Sequence, residues 1–225
     1  MTTIPFYSDP KIAQDRWAVD LFNGQRGGYF IEAGACDGVG ASNTFTLEQS
    51  FGWNGICVEP NDEFFAGLAR NRKCAVENVC IGDTRGPVRF RSAEYYGGIE
   101  ESLNEGHFDD YKHGAVIEKQ CVLLEDLLIK HNAPKVIDYI SLDLEGGELA
   151  VLKSFPFERY TVRAMTIELG SPHIQEFVES MGFELVTNRF SDPSVVWELH
   201  FVNANVGHFA GEAVSTMLSS MNRPS

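Results

Sequence analysis

Basic residues are scarce in this sequence. Lys and Arg number 18 against 32 Asp and Glu, a formal net charge of −14. Most of such a surface repels a phosphate backbone, which argues against nucleic acid and against an anionic membrane as primary partners. Long apolar runs are absent too: nothing approaches the roughly 20 residues of a membrane span. The start, MTTIPFYSDPKIAQDRW, lacks the basic opening and apolar block of a signal peptide. Cys36, Cys57, Cys74, Cys80 and Cys121 are odd in number and include no C-x-x-C, so zinc spacing is missing. Three of them sit in strand-like runs, as reduced, buried thiols do. These absences predict a soluble, cytoplasmic protein. No internal repeat, low-complexity tract or linker divides the chain, which predicts one domain over 1–225.

What is present is core-forming material and a strand–helix alternation. The hydrophobic fraction is 44%, with 16 Phe. Ile12, Trp17, Ala18, Leu21 and Phe22 share a helical face, with Asp9 as a cap and Pro10 in the first turn, so a helical extension is expected over 1–27. Strands are expected at Tyr29–Ile31, Gly55–Pro60, Ala75–Ile81, Val136–Asp143 and Ala164–Leu169. Helices are expected over Thr44–Ser50, Asp62–Asn71, Leu123–His131, Glu148–Ser154 and Ile174–Met181. Phe183–Thr187 and Val195–Val202 read as a closing β-pair. Gly97–Gly114 shows no periodicity, and 95–115 suits a lid over a substrate. Val214, Met217, Leu218 and Met221 predict a helix over 208–225, in the core or in a homodimer contact. Alternating strands and helices imply right-handed βαβ units and a mainly parallel sheet. Oily runs such as VIDYISL suit strands covered on both faces.

The small-residue turn after the first strand, EAGACDGVG, lets backbone approach a ligand or another segment closely. Gly34, Gly38 and Gly40 spell G-x-x-x-G-x-G. That is neither the dinucleotide fingerprint nor a phosphate loop with its Lys-Ser/Thr pair. Glu32 and Asp37 flank the turn. Carboxylates there would repel a pyrophosphate and attract an ammonium or a sulfonium, and S-adenosylmethionine carries both. Glu59, ending the second strand, is placed to accept hydrogen bonds from both ribose hydroxyls; the plain alternative is that Glu59-Pro60 only ends the strand.

FIEAGACDGVGASNTFTLEQSFGWNGICVEP, followed by IDYISLDLEGGELAVLKSFPF, resembles the FkbM family of S-adenosylmethionine-dependent methyltransferases. The resemblance runs from about Gly28 to Leu169. It implies a class I methyltransferase fold: a Rossmann-like, three-layer α/β sandwich whose seven-stranded, mostly parallel sheet has strand 7 antiparallel. It further implies that Glu32, Gly34, Asp37 and Gly38 lie against the amino-acid end of the cofactor, with Asn43 helping there. Glu59 would hold the ribose, and Asn78 or Asp83 the adenine. Glu32 stands where many members have Asp, which keeps the charge.

Methyl transfer needs an aligned acceptor and a group to take its proton. SLDLEGGE puts Asp143 and Glu145 at the end of the fourth strand, on one side if the strand persists. They are candidate base and substrate clamp, and His173 is a further candidate base. With Glu168 they could hold Mg²⁺ or Mn²⁺, although a divalent cation is not expected. The bland reading is that Glu145–Glu148 turns the chain and caps a helix. His107, His113, Tyr95 and Tyr96 fall in the expected lid. Cys36 and Cys57 have no histidine partner and do not read as nucleophiles. D-L-E-G replaces the N/D-P-P-Y signature of amide N-methyltransferases. The resemblance favours oxygen as the acceptor, so the expected activity is O-methylation of a small-molecule or glycan hydroxyl. The rivals are an N-methyltransferase and a catalytically silent S-adenosylmethionine-binding partner protein.

Overall fold

In the computed structural model, residues 4–103 and 108–206 are described. His107 and the expected helix over 208–225 lie outside them. The chain runs α1 (Gln14–Leu21), β1 (Tyr29–Ala33), α2 (Phe45–Phe51), β2 (Asn54–Val58), α3 (Asp62–Asn71), β3 (Ala75–Glu77), β4 (Cys80–Ile81) and β5 (Gly86–Ser92). It continues through β6 (Gly98–Ile99), α4 (Phe108–Tyr111), β7 (Ala115–Val122), α5 (Leu124–Lys130), β8 (Val136–Leu142), α6 (Glu148–Ser154), β9 (Thr161–Glu168), α7 (Ile174–Ser180), β10 (Phe183–Val186) and β11 (Glu198–Asn203).

The main sheet has the order β10-β11-β9-β8-β1-β2-β3. β8, β1, β2 and β3 are parallel to one another and to β9, whereas β11 is antiparallel to both β9 and β10. Successive residues of β1 and β8 serve opposite faces, as pleating requires. Ile31 and Ile140 join a core with Leu127 of α5, Val151 of α6 and Val178 of α7. Phe30 and Tyr139 join another with Trp17 of α1, Leu47 of α2 and Leu68 of α3. Burying each such side chain is worth roughly 1.5–3 kcal/mol, so helices cover both faces. β1 lies between β2 and β8, and the chain leaves it in opposite directions on its two sides. A crevice opens at the carboxyl ends of strands at such a reversal.

Two local expectations are corrected. The first helix starts at Gln14, later than Asp9-Pro10. Asp9 Oδ1 accepts from Lys11 N (2.7 Å), forming a local turn, and Ala13 is left-handed (φ 57°), which breaks helical continuity. Ala75–Ile81 is not one strand. Asn78 Nδ2 donates to the carbonyls of Glu59 (3.0 Å) and Pro60 (3.2 Å), ending β3. β4 then begins a second sheet, β4-β7-β5-β6, with its own small core of Cys80, Phe90 and Cys121. Of the segment without periodicity, that sheet takes in Gly98–Ile99 as β6, which borders the crevice. β11 begins at Glu198, so Val195–Trp197 stays outside the closing pair.

Candidate cofactor and acceptor site

The bare turn after β1 is closed mainly by packing. Gly34 is left-handed (φ 85°), and a Cβ there would lie 2.1 Å from the Asp143 carbonyl oxygen. A Cβ on Gly38 (φ 79°) would meet Leu68 and Arg72 of the α3 region at 2.7 Å. Asp37 Oδ1 accepts from Val39 N (2.9 Å) and Gly40 N (2.8 Å), so its charge shapes the turn. Of Gly34, Asp37 and Gly38, Gly34 borders the crevice.

Glu32 does not face the crevice, contrary to its expected place beside the cofactor. Its buried carboxylate accepts from Ser42 Oγ (3.0 Å), Asn43 N (2.6 Å), Thr44 Oγ1 (2.6 Å) and Arg72 (3.0 Å). Arg72 also pairs with Glu48 (2.7 Å). Stripping one partner from a buried ion pair costs about 3–5 kcal/mol, so this carboxylate is committed to holding α2 and α3 on β1. Asn43 is part of the same layer: its Nδ2 donates to Ser141 Oγ (2.8 Å), tying the loop to β8.

Glu59 does line the crevice. Its oxygens accept from Cys36 N and Asn61 N, each at 2.8 Å. Two carboxylate oxygens offer about four acceptor directions, so each keeps capacity for a ligand hydroxyl. Burial raises the Glu59 carboxyl to about 7 against the opposing pull of those backbone N–H groups. Beyond Glu59 the wall is apolar, built by Val79, Ile81, Phe90 and Ile99. Phe90 and Ile99 belong to the second sheet and carry no recognisable local motif. Asn78 is engaged beneath Glu59 and accepts from Lys119 Nζ (3.0 Å). Asp83 is exposed on a separate outer groove. Neither borders the crevice, because the chain turns at Asn78 and carries Asp83 past it.

β8 stops at Leu142, and Asp143 N still donates to Ala33 O (3.1 Å). The strand does not persist to Glu145, which turns with φ 57°. The turn nevertheless brings oxygens of Asp143, Glu145 and Glu168 within 4.8 Å of one another. Fully buried Glu148 holds the turn, accepting at Oε1 from Leu144 N (2.8 Å) and Gly146 N (3.2 Å). Glu198 is the register partner of Glu168. Burial, then mutual repulsion, raises Glu145 to about 8 and Glu168 to about 10; burial chiefly raises Glu148 to about 7. Glu168 and Asp143 hydrogen-bond each other, so the pair holds a proton between them. The spacing of the two acids in E-G-G-E signalled Glu148, whereas Glu198 had no signal beyond its strand.

These upward shifts have a consequence for stability. The folded protein retains protons that the unfolded chain releases above about 4.5. The stabilisation is complete below that value and is lost as pH rises through about 7 to 10. Buried His200, lowered to about 3 by desolvation, acts only below about 6.5. The melting temperature of the ligand-free protein is thus expected to fall from about pH 7 to about pH 9 in scanning calorimetry. A flat or rising profile would contradict these proton assignments.

His173 is exposed at the start of α7 and stands apart from the residues lining the crevice. His113 is exposed on an outer groove with Asn61 and Glu94. Tyr95, at the crevice mouth, packs its ring 5.1 Å from that of Phe64. Cys36 lines the crevice, but burial pushes its thiol up, which disfavours a thiolate.

Residues 32–220 match the family model of the methyltransferase FkbM domain. The chain belongs to this family, and S-adenosylmethionine is the methyl donor that membership implies. Curated protein sequences yield no match. Among solved structures, the N-terminal domain of human METTL16 is 13% identical with a TM-score of 0.47, covering 89% of this chain and 70% of that one. Precorrin-6y C5,15-methyltransferase from Geobacter metallireducens is 10% identical with a TM-score of 0.40, covering 88% and 92%. A methyltransferase from Pyrococcus furiosus is 14% identical with a TM-score of 0.37, covering 88% and 87%. No described helix is long and apolar enough to cross a membrane.

Proposed function

We propose that the protein transfers a methyl group from S-adenosylmethionine to a hydroxyl of a small molecule or glycan. The observation that carries this reading is that one crevice is lined both by Glu59, just past β2, and by Asp143, just past β8. The residues fit the donor. Glu59 offers acceptor capacity for a ribose diol, and the wall of Val79, Ile81, Phe90 and Ile99 suits adenine. Gly34, by lacking a Cβ, lets the turn after β1 close on the Asp143 carbonyl and so brings Asp143 to the crevice. The strand order of the main sheet, with antiparallel β11, supports a class I assignment.

S-adenosylmethionine supplies an electrophilic methyl whose bond to sulfur breaks with its electron pair on sulfur, leaving a thioether. Asp143 takes the hydroxyl proton as the oxygen attacks, and Glu168 holds Asp143 in place through their hydrogen bond. A positioned base of this kind contributes about 10²–10⁴-fold. The five free thiols suit a reducing compartment, and a cytoplasmic location belongs to the same reading.

The test is incubation with methyl-labelled donor and a panel of polyols, glycosides and amines, with products located by tandem mass spectrometry. Label on oxygen is expected. Label confined to nitrogen, or none despite tight S-adenosylhomocysteine binding, would overturn the assignment.

A further inference from the structure

We propose that Asp143, Glu145 and Glu168 bind one divalent, oxygen-preferring cation, Mg²⁺ or Mn²⁺, which holds the acceptor hydroxyl at the end of the crevice. The role toward the acceptor rests on the O-methylation reading; the ion site stands without it.

The geometry is close to that of a ligand set. Oxygens at about 2.1 Å from an octahedral ion lie about 3.0–4.2 Å from each other. The oxygens of these three carboxylates lie within 4.8 Å of one another, so a small contraction closes them on one ion. Hard carboxylate oxygens without nitrogen or sulfur select Mg²⁺ or Mn²⁺ over softer metals. Three protein ligands leave three positions for water and for an acceptor oxygen.

A second observation points to the same occupant. Glu148 is wholly buried, and its Oε2 has no hydrogen-bond partner among the described residues. Oε2 lies between the turn that carries Glu145 and the loop after Glu168: a Cβ on Gly170 would be 2.4 Å from it and 2.9 Å from Gly146 Cα. A buried acceptor without a donor is costly, about 1–3 kcal/mol. Water on a bound ion supplies the missing donor. Among the described residues, no lysine or arginine pairs with Glu145, Glu148 or Glu168. Protein charge therefore does not compensate them.

The experiment titrates Mn²⁺ into the full chain, with and without saturating S-adenosylhomocysteine, following the signal of free aqueous Mn²⁺ by electron paramagnetic resonance. One ion per chain is expected. Glu168→Gln and Glu145→Gln should each weaken it at least about tenfold, with S-adenosylhomocysteine affinity from calorimetry nearly unchanged. If one variant fails to fold, the other carries the test. A wild-type protein that binds S-adenosylhomocysteine but leaves Mn²⁺ free to millimolar concentration overturns the site. So does Mn²⁺ binding that neither variant weakens. If Mn²⁺ binds as expected but S-adenosylhomocysteine does not, the ion stands and the methyl-transfer reading falls.

Discussion

Glu59→Ala is expected to weaken S-adenosylhomocysteine binding by on the order of 100-fold or more in calorimetry. A hydrogen bond to a charged group contributes about 1.5–3 kcal/mol, and a ribose diol makes two. Part of the loss comes from the protein itself, since Cys36 N and Asn61 N also lose their acceptor. Glu59→Gln separates the contributions. It keeps the shape and one acceptor oxygen, and should bind more tightly than the alanine variant but well below wild type. The pH dependence provides a second readout. The Glu59 carboxyl sits at about 7 in the ligand-free protein. Its charged form is the better acceptor, so wild-type affinity should decline as pH falls through that value. The alanine variant should lose this dependence. A dissociation constant that Glu59→Ala leaves unchanged would remove the ribose role.

Asp143→Asn should lower turnover by about 10²–10⁴-fold, the range a lost general base spans. Cofactor affinity should stay within a few fold. The asparagine preserves side-chain volume, and the backbone bond from residue 143 N to Ala33 O does not involve the side chain. Single-turnover kinetics with bound donor distinguishes the two effects, because a binding defect disappears at saturation and a chemical defect does not. Turnover equal to that of wild type would take Asp143 out of the mechanism.

Much of this site could be read along the chain because its parts lie at strand ends. Glu59 and Asp143 each follow an oily run, and a parallel sheet puts the carboxyl ends of its strands on one edge. Gly34 was legible as a close approach, but the object approached, the Asp143 carbonyl, lies 109 residues away and was not. Glu32 shows the opposite failure. A charge beside a glycine turn suggested a ligand. Only the packed structure shows Arg72, Ser42 and Thr44 converging on it from α2 and α3. Asn78 and Asp83 were misplaced for a related reason. The run from Ala75 to Ile81 is apolar enough for one strand, and nothing local marks where the chain passes from one sheet to the other.

The amino-acid order alone determined the alternation of strands and helices, the oily strands covered on both faces, and the acids that end the strands. Periodicity and burial act over a few neighbours, so they can be read from neighbours. Tertiary structure decided which acids meet. The turn after Leu142 swings Glu145 toward Asp143 and Glu168, and pairing of β9 with β11 sets Glu198 beside them. It also decided that Glu32 supports the fold while Glu59 faces the crevice. A carboxylate's role depends on which donors reach it, and those donors come from segments distant in sequence.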